Sequence, residues 1–179
     1  MNLQRKSPRG YYQPAEDSFF MAEFLENENG VSAIDIGTGS GILAGVLSKN
    51  FDLVVATDIN ADSLKQAIKT VKNCVCCNSA DAMGHKFDLA VCNLPYLPSD
   101  KIEDPTVDGL EEGLGVPTSI IESASRIIRK NGKLIFLTSS HANYLELIER
   151  TKSFGFSVTI MARKKLFFEE LLLVYCVKL

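Results

Sequence analysis

A four-residue segment, Asn93, Leu94, Pro95 and Tyr96, stands where an apolar run of strand length ends. The side-chain oxygen of Asn93 and the backbone carbonyl of Leu94 can each accept one hydrogen bond, so together they can hold both hydrogens of a planar NH₂ group. Tyr96 can stack on a flat amide or base, and Pro95 stiffens the turn because its φ angle is fixed. These residue types predict a site that orients an amide or an aromatic amine.

A glycine-rich turn and three carboxylates come before this segment. The stretch AIDIGTGSGIL places Asp35 at a strand end, followed by Gly37 and Gly39 ahead of a helix. Glycines there allow a ligand to lie against the backbone. Asp58 and Asp81 follow the next two strands. Ligands of open parallel sheets bind outside the carboxyl ends of the strands, so these groups predict one binding site.

The spacing of this turn argues against two common nucleotide sites. A dinucleotide motif would place a third glycine where Ile42 stands, and no Gly-x-x-x-x-Gly-Lys sequence is present. Asp58 could instead accept both hydroxyls of a ribose and Asp81 an adenine amino group, while Asp35 could face a cationic amino group. A structural turn with solvated loop carboxylates is the alternative.

The Asp-x-Gly-x-Gly-x-Gly motif and the later carboxylates resemble the S-adenosylmethionine site of class I methyltransferases, from about Val31 to Leu179. This resemblance implies an α/β fold with a seven-stranded Rossmann-like sheet, mostly parallel with an antiparallel C-terminal hairpin and helices on both faces. It implies S-adenosylmethionine as the cofactor. The cofactor-binding residues that we expect are Ser18, Asp35, Gly37, Gly39, Asp58, Ile59, Asp81, Ala82 and Asn93.

Such a cofactor gives the Asn93 segment a catalytic role. An amide or aromatic amine nitrogen attacks a methyl sulfonium poorly, because its lone pair is delocalised. Acceptors on Asn93 and Leu94 would direct that lone pair along the methyl–sulfur axis, so that orientation supplies most of the catalysis without a strong base. We therefore expect Asn93, Leu94, Pro95 and Tyr96 to be catalytic. A simple strand-ending turn is the alternative.

Two resemblances bear on the substrate. The segment is similar to the Asn-Pro-Pro-Tyr of amide and adenine methyltransferases, but Leu94 also makes it typical of ribosomal RNA adenine dimethyltransferases. The stretch YYQPAEDSFFMAEFL resembles a helix of the archaeal and eukaryotic branch of the HemK family, the glutamine methyltransferases of class I release factors. That match implies that Ser18 contacts the cofactor and that Glu16 and Asp17 line the same edge.

Our first hypothesis is methylation of the Gln side-chain amide in the Gly-Gly-Gln motif of a class I translation release factor. Adenine methylation in RNA or DNA, methylation of a protein lysine, and a cofactor-binding scaffold without turnover are the alternatives. The long connection over residues 97–116 favours a protein, because an acidic rim repels phosphates and attracts a basic loop. Its acidic residues are Asp100, Glu103, Asp104, Asp108, Glu111 and Glu112, against the single base Lys101.

A partner protein is also implied. The strand from Asn73 to Cys77 is expected at the edge of the sheet, where its apolar sequence has almost no charge to prevent association. Relatives of this branch use a small zinc-binding activator subunit that adds a strand there. The resemblance therefore implies a heterodimer with such a subunit and poor solubility without it. A short edge strand tolerated in a monomer is the alternative.

Composition limits the remaining possibilities. The 179 residues are 46% hydrophobic and carry a net charge of −3, which suits a single domain over residues 1–179 without general affinity for nucleic acid. The resemblance implies that it is a methyltransferase domain. Within it we expect a flexible arm at 1–12 and an N-terminal helix at 13–30 packed on the catalytic core. The longest apolar run is far too short for a bilayer, which indicates a cytoplasmic protein without membrane contact. Most of the five Cys lie in apolar stretches, where Cys behaves as a small hydrophobic residue, and the two His are isolated, so we expect no metal site.

Apolar runs of strand length alternate with segments of helical period, which is typical of an α/β fold. The predicted strands are 31–36, 53–57, 74–77, 87–92, 133–138, 156–162 and 170–177. The predicted helices start near Pro14, Ile42, Asn60, Thr118 and Ala142.

Overall fold

One seven-stranded sheet runs through the part of the chain that the computed structural model describes, residues 14–102, 104 and 106–179. The strands are β1 (Gly30–Ile36), β2 (Phe51–Asp58), β3 (Asn73–Cys76), β4 (Phe87–Asn93), β5 (Ile128–Ser139), β6 (Phe156–Lys165) and β7 (Glu170–Lys178). The helices are α1 (Glu16–Leu25), α2 (Ile42–Leu47), α3 (Ala61–Ala67), α4 (Gly115–Ile127) and α5 (Tyr144–Ser153), with a 3₁₀ turn at Glu111–Gly113. The predicted arm at 1–12 and the acidic Glu103 lie outside the described residues.

The strand order is β3-β2-β1-β4-β5-β7-β6. Strands β1 to β5 pair in parallel, whereas β7 lies antiparallel to both β5 and β6. The predicted seven-stranded sheet with an antiparallel C-terminal hairpin is therefore confirmed. The chain runs outward from β1 to β3 on one side and from β4 onward on the other, so the sheet has its topological switch point between β1 and β4.

Helices cover both faces of the sheet. Leu89 and Val91 of β4 belong to the apolar cluster that contains α1 and α2. Ala90 and Cys92 belong to the opposite cluster, which contains α4 and α5. Because alternate residues of a strand point to opposite faces, a strand covered on both sides has a continuous apolar sequence. This explains why β4 appears in the sequence as an unbroken apolar run that stops at Asn93.

The boundaries of several elements differ from those predicted. Asn143 caps α5 by accepting a hydrogen bond from the N–H of Glu146, so that helix begins after Ala142. Strand β5 begins at Ile128, directly after α4, rather than at Lys133. The register of the β4–β5 pairing shifts between Phe87 and Leu89, so that Ile128 at the start of β5 pairs with Phe87. No apolar pattern in the sequence indicates this early part of β5.

Helix α1 carries polar residues on a buried face. Met21 and Leu25 are fully buried against the sheet, as expected for an amphipathic helix. In the first turn, however, Asp17 is 7% exposed and Ser18 is 4% exposed. Burying a carboxylate is costly unless it has hydrogen-bond partners. The first turn of α1 must therefore serve something other than packing.

The close contact of α2 with α3 provides a test of the fold. Gly41 has φ +84°, and a Cβ there would lie 2.8 Å from the Cα of Ala67. We predict that Gly41→Ala lowers the free energy of unfolding by at least about 1–2 kcal/mol, since a left-handed backbone alone has about that cost for a residue with a Cβ. Urea denaturation measures this value. Gly84→Ala is the matched control, because its Cβ would meet nothing within 4 Å. Equal losses in both variants would contradict this geometry.

Candidate functional site

A cavity of about 670 Å³ opens at the carboxyl edge of the sheet, at the switch point between β1 and β4. Cavities of this size accommodate a cofactor or a small ligand. Nine of the predicted site residues line it: Ser18, Gly37, Gly39, Asp58, Ile59, Asn93, Leu94, Pro95 and Tyr96. The fold thus gathers residues from α1, β1, β2 and β4 around one space.

The glycine turn forms a bare backbone wall. The N–H groups of Gly37 and Thr38 both donate to the carbonyl of Thr57, each at 2.9 Å, which ties the turn to the end of β2. Gly37 has φ +71° and Gly39 has φ +54°, a region that favours glycine. A Cβ on Gly37 would meet nothing within 4 Å. The space over Gly37 is therefore open to a ligand.

Asp58 is at the end of β2 and holds the glycine turn from the opposite side. Its Oδ2 accepts the N–H of Gly39 at 2.9 Å, and its Oδ1 accepts the N–H of Asn60 at 2.8 Å. Burial raises the pKa of Asp58, and these hydrogen bonds partly offset that effect. A half-buried carboxylate with this support is a rigid acceptor for ligand hydroxyl groups.

Asp35 lies one layer below the cavity and not in its lining. Its Oδ2 accepts the hydroxyl of Thr38 at 2.6 Å and the N–H of Ala44 at 3.0 Å, so it links the glycine turn to α2. Its Oδ1 is buried and has no partner among the described residues. Burial raises the pKa of Asp35 to about 6. The structure thus places Asp35 behind Thr38, whereas we expected it to face the ligand.

Asp81 and Ala82 are exposed and lie outside the lining of the cavity. Asp81 accepts hydrogen bonds from the hydroxyl of Ser123 at 2.7 Å and from Arg126 at 2.9 Å. The Ser123 hydrogen bond and the Arg126 cation lower the pKa of Asp81. The nearby residues that do line the cavity are Asn78 and Ser79. The loop after β3 therefore reaches the cavity through residues other than those we expected.

The side chain of Asn93 has a fixed orientation at the floor of the cavity. Its Nδ2 donates to Oδ2 of Asp17 at 3.1 Å. Its Oδ1 is buried and has no hydrogen-bond partner among the described residues. Leu94 follows, with its N–H bonded to the carbonyl of Leu137 at 3.2 Å, so the turn remains tied to β5. A buried acceptor without a partner is costly unless a ligand supplies the donor.

Tyr96 is held in place by a residue from the C-terminal hairpin. Its side chain is 4% exposed and its hydroxyl bonds to Glu169, in the turn between β6 and β7. Burial, the negative charges of Glu169 and Asp17, and this hydrogen bond together raise the pKa of Tyr96. Glu169 in turn accepts the hydroxyl of Ser139 at 2.6 Å. The aromatic ring at the cavity is therefore neutral and rigidly held.

The connection over residues 97–116 overhangs the cavity. Its backbone folds back on itself through hydrogen bonds at 2.8 Å, from Leu97 to the carbonyl of Val107 and from Gly109 to the carbonyl of Leu97. Asp104 and Asp108 accept hydrogen bonds from atoms of this loop and so shape it. The exposed acids in its described part are Asp100, Glu111 and Glu112. Asp104 and Asp108, which we expected on the acidic rim, are thus half-buried.

Several residues that line the cavity were not assigned from the sequence. They include Thr38, Ser40, Asn60, Ser63, Asn78, Ser79, Ile102 and Ser119. Thr38, Asn60 and Asn78 each lie two residues after the end of a strand, and that position could have identified them. Ile102 and Ser119 approach through the overhanging loop and α4, which no local sequence signal indicates.

The described part of the chain contains neither a cluster of residues arranged as a metal site nor a helix that could span a membrane. Among them, no cluster of His, Cys, Asp or Glu has the arrangement of a metal site. Their helices include none with the length and hydropathy needed to cross a membrane.

Comparisons with known proteins place this geometry in context. The family model of the methyltransferase small domain matches residues 15–168. A candidate protein N5-glutamine methyltransferase of Methanocaldococcus jannaschii is 30% identical, over 91% of this chain and 89% of that protein. The release factor glutamine methyltransferase of Streptococcus pneumoniae is 28% identical over 68% of this chain, which spans about half (51%) of that protein's length.

Solved structures share the fold. The structure of the E. cuniculi Mtq2–Trm112 complex, described as responsible for methylation of the translation termination factor eRF1, has a TM-score of 0.81 at 24% identity. The match covers 95% of this chain and 99% of that chain. Other methyltransferases of similar fold have been solved with S-adenosylmethionine or S-adenosylhomocysteine bound.

The buried position of Asp35 predicts a pH-dependent stability. A folded-state pKa near 6, above the usual 3.8, means that the native protein binds this proton more tightly than the unfolded chain. The contribution of protonated Asp35 to the free energy of unfolding is complete below about pH 4 and is lost as the pH rises through about 6. Relative to wild type, Asp35→Asn should therefore gain up to roughly 3 kcal/mol between these pH values. Urea denaturation from pH 4 to 7 measures the difference, and a constant difference would contradict the prediction.

Proposed function

Because the chain belongs to the methyltransferase small domain family, we propose that it methylates the Gln side-chain amide in the Gly-Gly-Gln motif of a class I translation release factor, using S-adenosylmethionine. The observation that carries this proposal is the orientation of Asn93. Its Oδ1 is a buried acceptor without a partner among the described residues, at the floor of the cavity and beside the glycine turn. A primary amide supplies the planar NH₂ donor that this acceptor requires.

The residues around the upper part of the cavity fit the cofactor. Asp58 is a fixed acceptor for ribose hydroxyls, the bare backbone at Gly37 permits close approach, and Ile59 offers an apolar surface that is 67% exposed. Asn78 and Ser79 provide polar contacts in the place where we had expected Asp81. When bound there, S-adenosylmethionine supplies an activated methyl group on a sulfonium.

The chain's own contribution is to hold the acceptor nitrogen. Asn93 Oδ1 and the carbonyl of Leu94 accept its two N–H groups, which localises the lone pair and aims it into the cavity. Tyr96 packs against the flat face of the amide, and its hydroxyl is already bonded to Glu169. Pro95 is buried and stiffens the turn. Orientation of this kind can supply several orders of magnitude in rate.

A protein substrate suits the electrostatics of the mouth better than a nucleic acid does. Asp100, Glu111 and Glu112 are exposed on the loop that overhangs the cavity. Carboxylates at these positions repel a phosphate backbone and attract cationic side chains. The overall net charge of −3 has the same sign. We therefore favour the glutamine of a release factor over an adenine of RNA or DNA.

The exposed edge strand β3 is a suitable binding site for a partner protein. Its four residues are each exposed or half-buried, and no other strand of the sheet covers its outer side. We propose that a small zinc-binding activator subunit adds a strand there and forms a heterodimer. The similarity of the fold to Mtq2 in its complex with Trm112 is consistent with such an arrangement.

Methyl transfer tests the proposed substrate. Purified protein, co-expressed with the activator subunit, is incubated with labelled S-adenosylmethionine and with a class I release factor or total RNA. We predict label in the release factor, on the glutamine of its Gly-Gly-Gln motif by mass spectrometry, and none after that glutamine is replaced by alanine. Label in RNA alone would contradict the proposal.

Asn93→Ala in the same assay tests the role of the segment. We predict that kcat falls by about 10²–10³, because one of two orienting acceptors is lost, while the KM for S-adenosylmethionine changes little. Asn29→Ala is the control, since Asn29 is exposed and lies before β1, away from the cavity lining. If Asn93→Ala retained half of the wild-type kcat, the assignment of Asn93 would be wrong.

The predicted heterodimer can be tested at one backbone N–H. The N–H of Cys77 donates to the carbonyl of Asp58 on β2. Successive backbone N–H groups of a strand point alternately toward the neighbouring strand and away from it. The N–H of Cys76 therefore points away from β2, toward the open edge of the sheet. We predict that Cys76→Pro abolishes co-purification of the activator subunit, whereas Cys76→Ser, which keeps the N–H, preserves it. Thermal denaturation of both variants controls for folding, and co-purification with folded Cys76→Pro would place the interface elsewhere.

A further inference from the structure

The hydrogen bond between Asp17 and Asn93 joins residues that are 76 positions apart. Asp17 is 7% exposed and lies in the first turn of α1, so an apolar residue would pack there at a lower desolvation cost. Its Oδ2 accepts the Nδ2 group of Asn93 at 3.1 Å. Among the described residues, the hydrogen-bond partner of the Asn93 amide is therefore Asp17 of α1 and not a residue of the Asn93 segment.

A carboxylate can determine that orientation. The two ends of an Asn amide have nearly the same shape, but one end only donates hydrogen bonds and the other only accepts them. An ionised carboxylate only accepts, so it must face the NH₂ end. The Oδ1 of Asn93 is then directed away from Asp17, where it is buried without a partner among the described residues.

We propose that Asp17 is a positioning residue, which fixes the Asn93 amide so that Oδ1, and not the NH₂ group, meets the NH₂ of the substrate. This inference rests on the proposed function, because it assumes a substrate that donates N–H. The opposite orientation of Asn93 would present two donors to each other. Binding and methyl transfer would then both lose the acceptor that localises the nitrogen lone pair.

Asp17 is itself held in place by the neighbouring residue. Its Oδ1 accepts the backbone N–H of Ser18 at 2.6 Å and lies 3.3 Å from the Ser18 hydroxyl. A backbone N–H can only donate, so it determines which atom of a side chain at position 17 faces it. This arrangement makes the effect of an Asp17→Asn substitution predictable.

In Asp17→Asn, the N–H of Ser18 favours the amide oxygen on its side, which directs the new NH₂ toward Asn93. Asn93 then has to rotate its own oxygen toward position 17, which places its NH₂ in the cavity. We predict that kcat for methyl transfer to the release factor falls by about 100-fold, as for other misplaced orienting groups, while the KM for S-adenosylmethionine stays within about twofold. Glu23→Gln, an exposed residue of the same helix, removes the same charge and should leave kcat unchanged.

A reciprocal exchange provides a result that a purely structural role would not give. Asn93→Asp alone places two carboxylates in contact and should also lower kcat strongly. In the double variant Asp17→Asn with Asn93→Asp, the NH₂ at position 17 donates to the carboxylate at position 93, whose other oxygen faces the cavity. We predict that the double variant has at least a tenfold higher kcat than either single variant. A double variant no more active than the better of the two single variants would overturn the proposal.

A ¹H–¹⁵N spectrum provides a second readout, which does not depend on methyl transfer. The side-chain NH₂ signals of Asn93 in a ¹H–¹⁵N spectrum are identified by their loss in Asn93→Ala. We predict slow exchange with solvent for these protons and a change in their shifts in Asp17→Asn but not in Glu23→Gln. Rapid exchange of these protons, or chemical shifts that are the same in Asp17→Asn as in the wild type, would overturn the role of Asp17.

The outcomes separate this inference from the proposed function. If wild-type protein methylates adenine and not glutamine, the proposed substrate fails, but the exchange can be repeated with the adenine substrate. If wild-type protein methylates glutamine and Asp17→Asn keeps at least half of its kcat, the function stands and the inference fails.

Discussion

The parallel pairing of β1 with β2 and β4 is the constraint on which the site depends. Residues 33 to 35 of β1 pair with residues 54 to 56 of β2 and with residues 89 to 91 of β4. This register brings the ends of three strands to one edge, so that the glycine turn, Asp58 and Asn93 surround a single cavity. The strand order reverses between β1 and β4, which leaves that edge open because the following connections go to opposite sides. The chemistry of the site is therefore a consequence of sheet register.

Buried polar side-chain atoms without hydrogen-bond partners are concentrated at the same edge of the sheet. Four buried side-chain atoms lack a hydrogen-bond partner among the described residues, and they belong to Asp35, Thr57, Asn93 and Thr138. Each residue lies within two positions of the carboxyl end of β1, β2, β4 or β5. Unpaired groups of this kind destabilise a fold by about 1–3 kcal/mol each. Of the four residues, Asn93 lines the cavity, so a bound ligand can supply the hydrogen-bond donor that its Oδ1 lacks.

The sequence predicted the sheet, the glycine turn and the Asn93 segment because each has a strong local signal. Continuous apolar runs identify strands buried on both faces, and glycine or Asn at their ends identifies turns. It was less successful where a role depends on contacts between distant residues. Asp35 was expected to face the ligand, but it lies outside the cavity lining and accepts the hydroxyl of Thr38, a residue that does line the cavity. Asp81 was expected at the cavity, but Ser123 and Arg126 of α4 hold it outside. Neither contact has a signature near the residue that it affects.

The loop over the cavity shows how tertiary contacts override local preference. Leu110, Glu111 and Glu112 all have positive φ angles, a conformation that is costly for residues with a Cβ. Glycines on either side explain why the strain persists. A Cβ on Gly109 would lie 2.7 Å from the carbonyl oxygen of Pro95, and a Cβ on Gly113 would lie even closer to the carbonyl oxygen of Tyr96. The loop must follow the backbone of the catalytic segment at a distance that side chains would prevent. Its shape is therefore determined by the segment beneath it, which couples the cover of the cavity to the residues that orient the substrate.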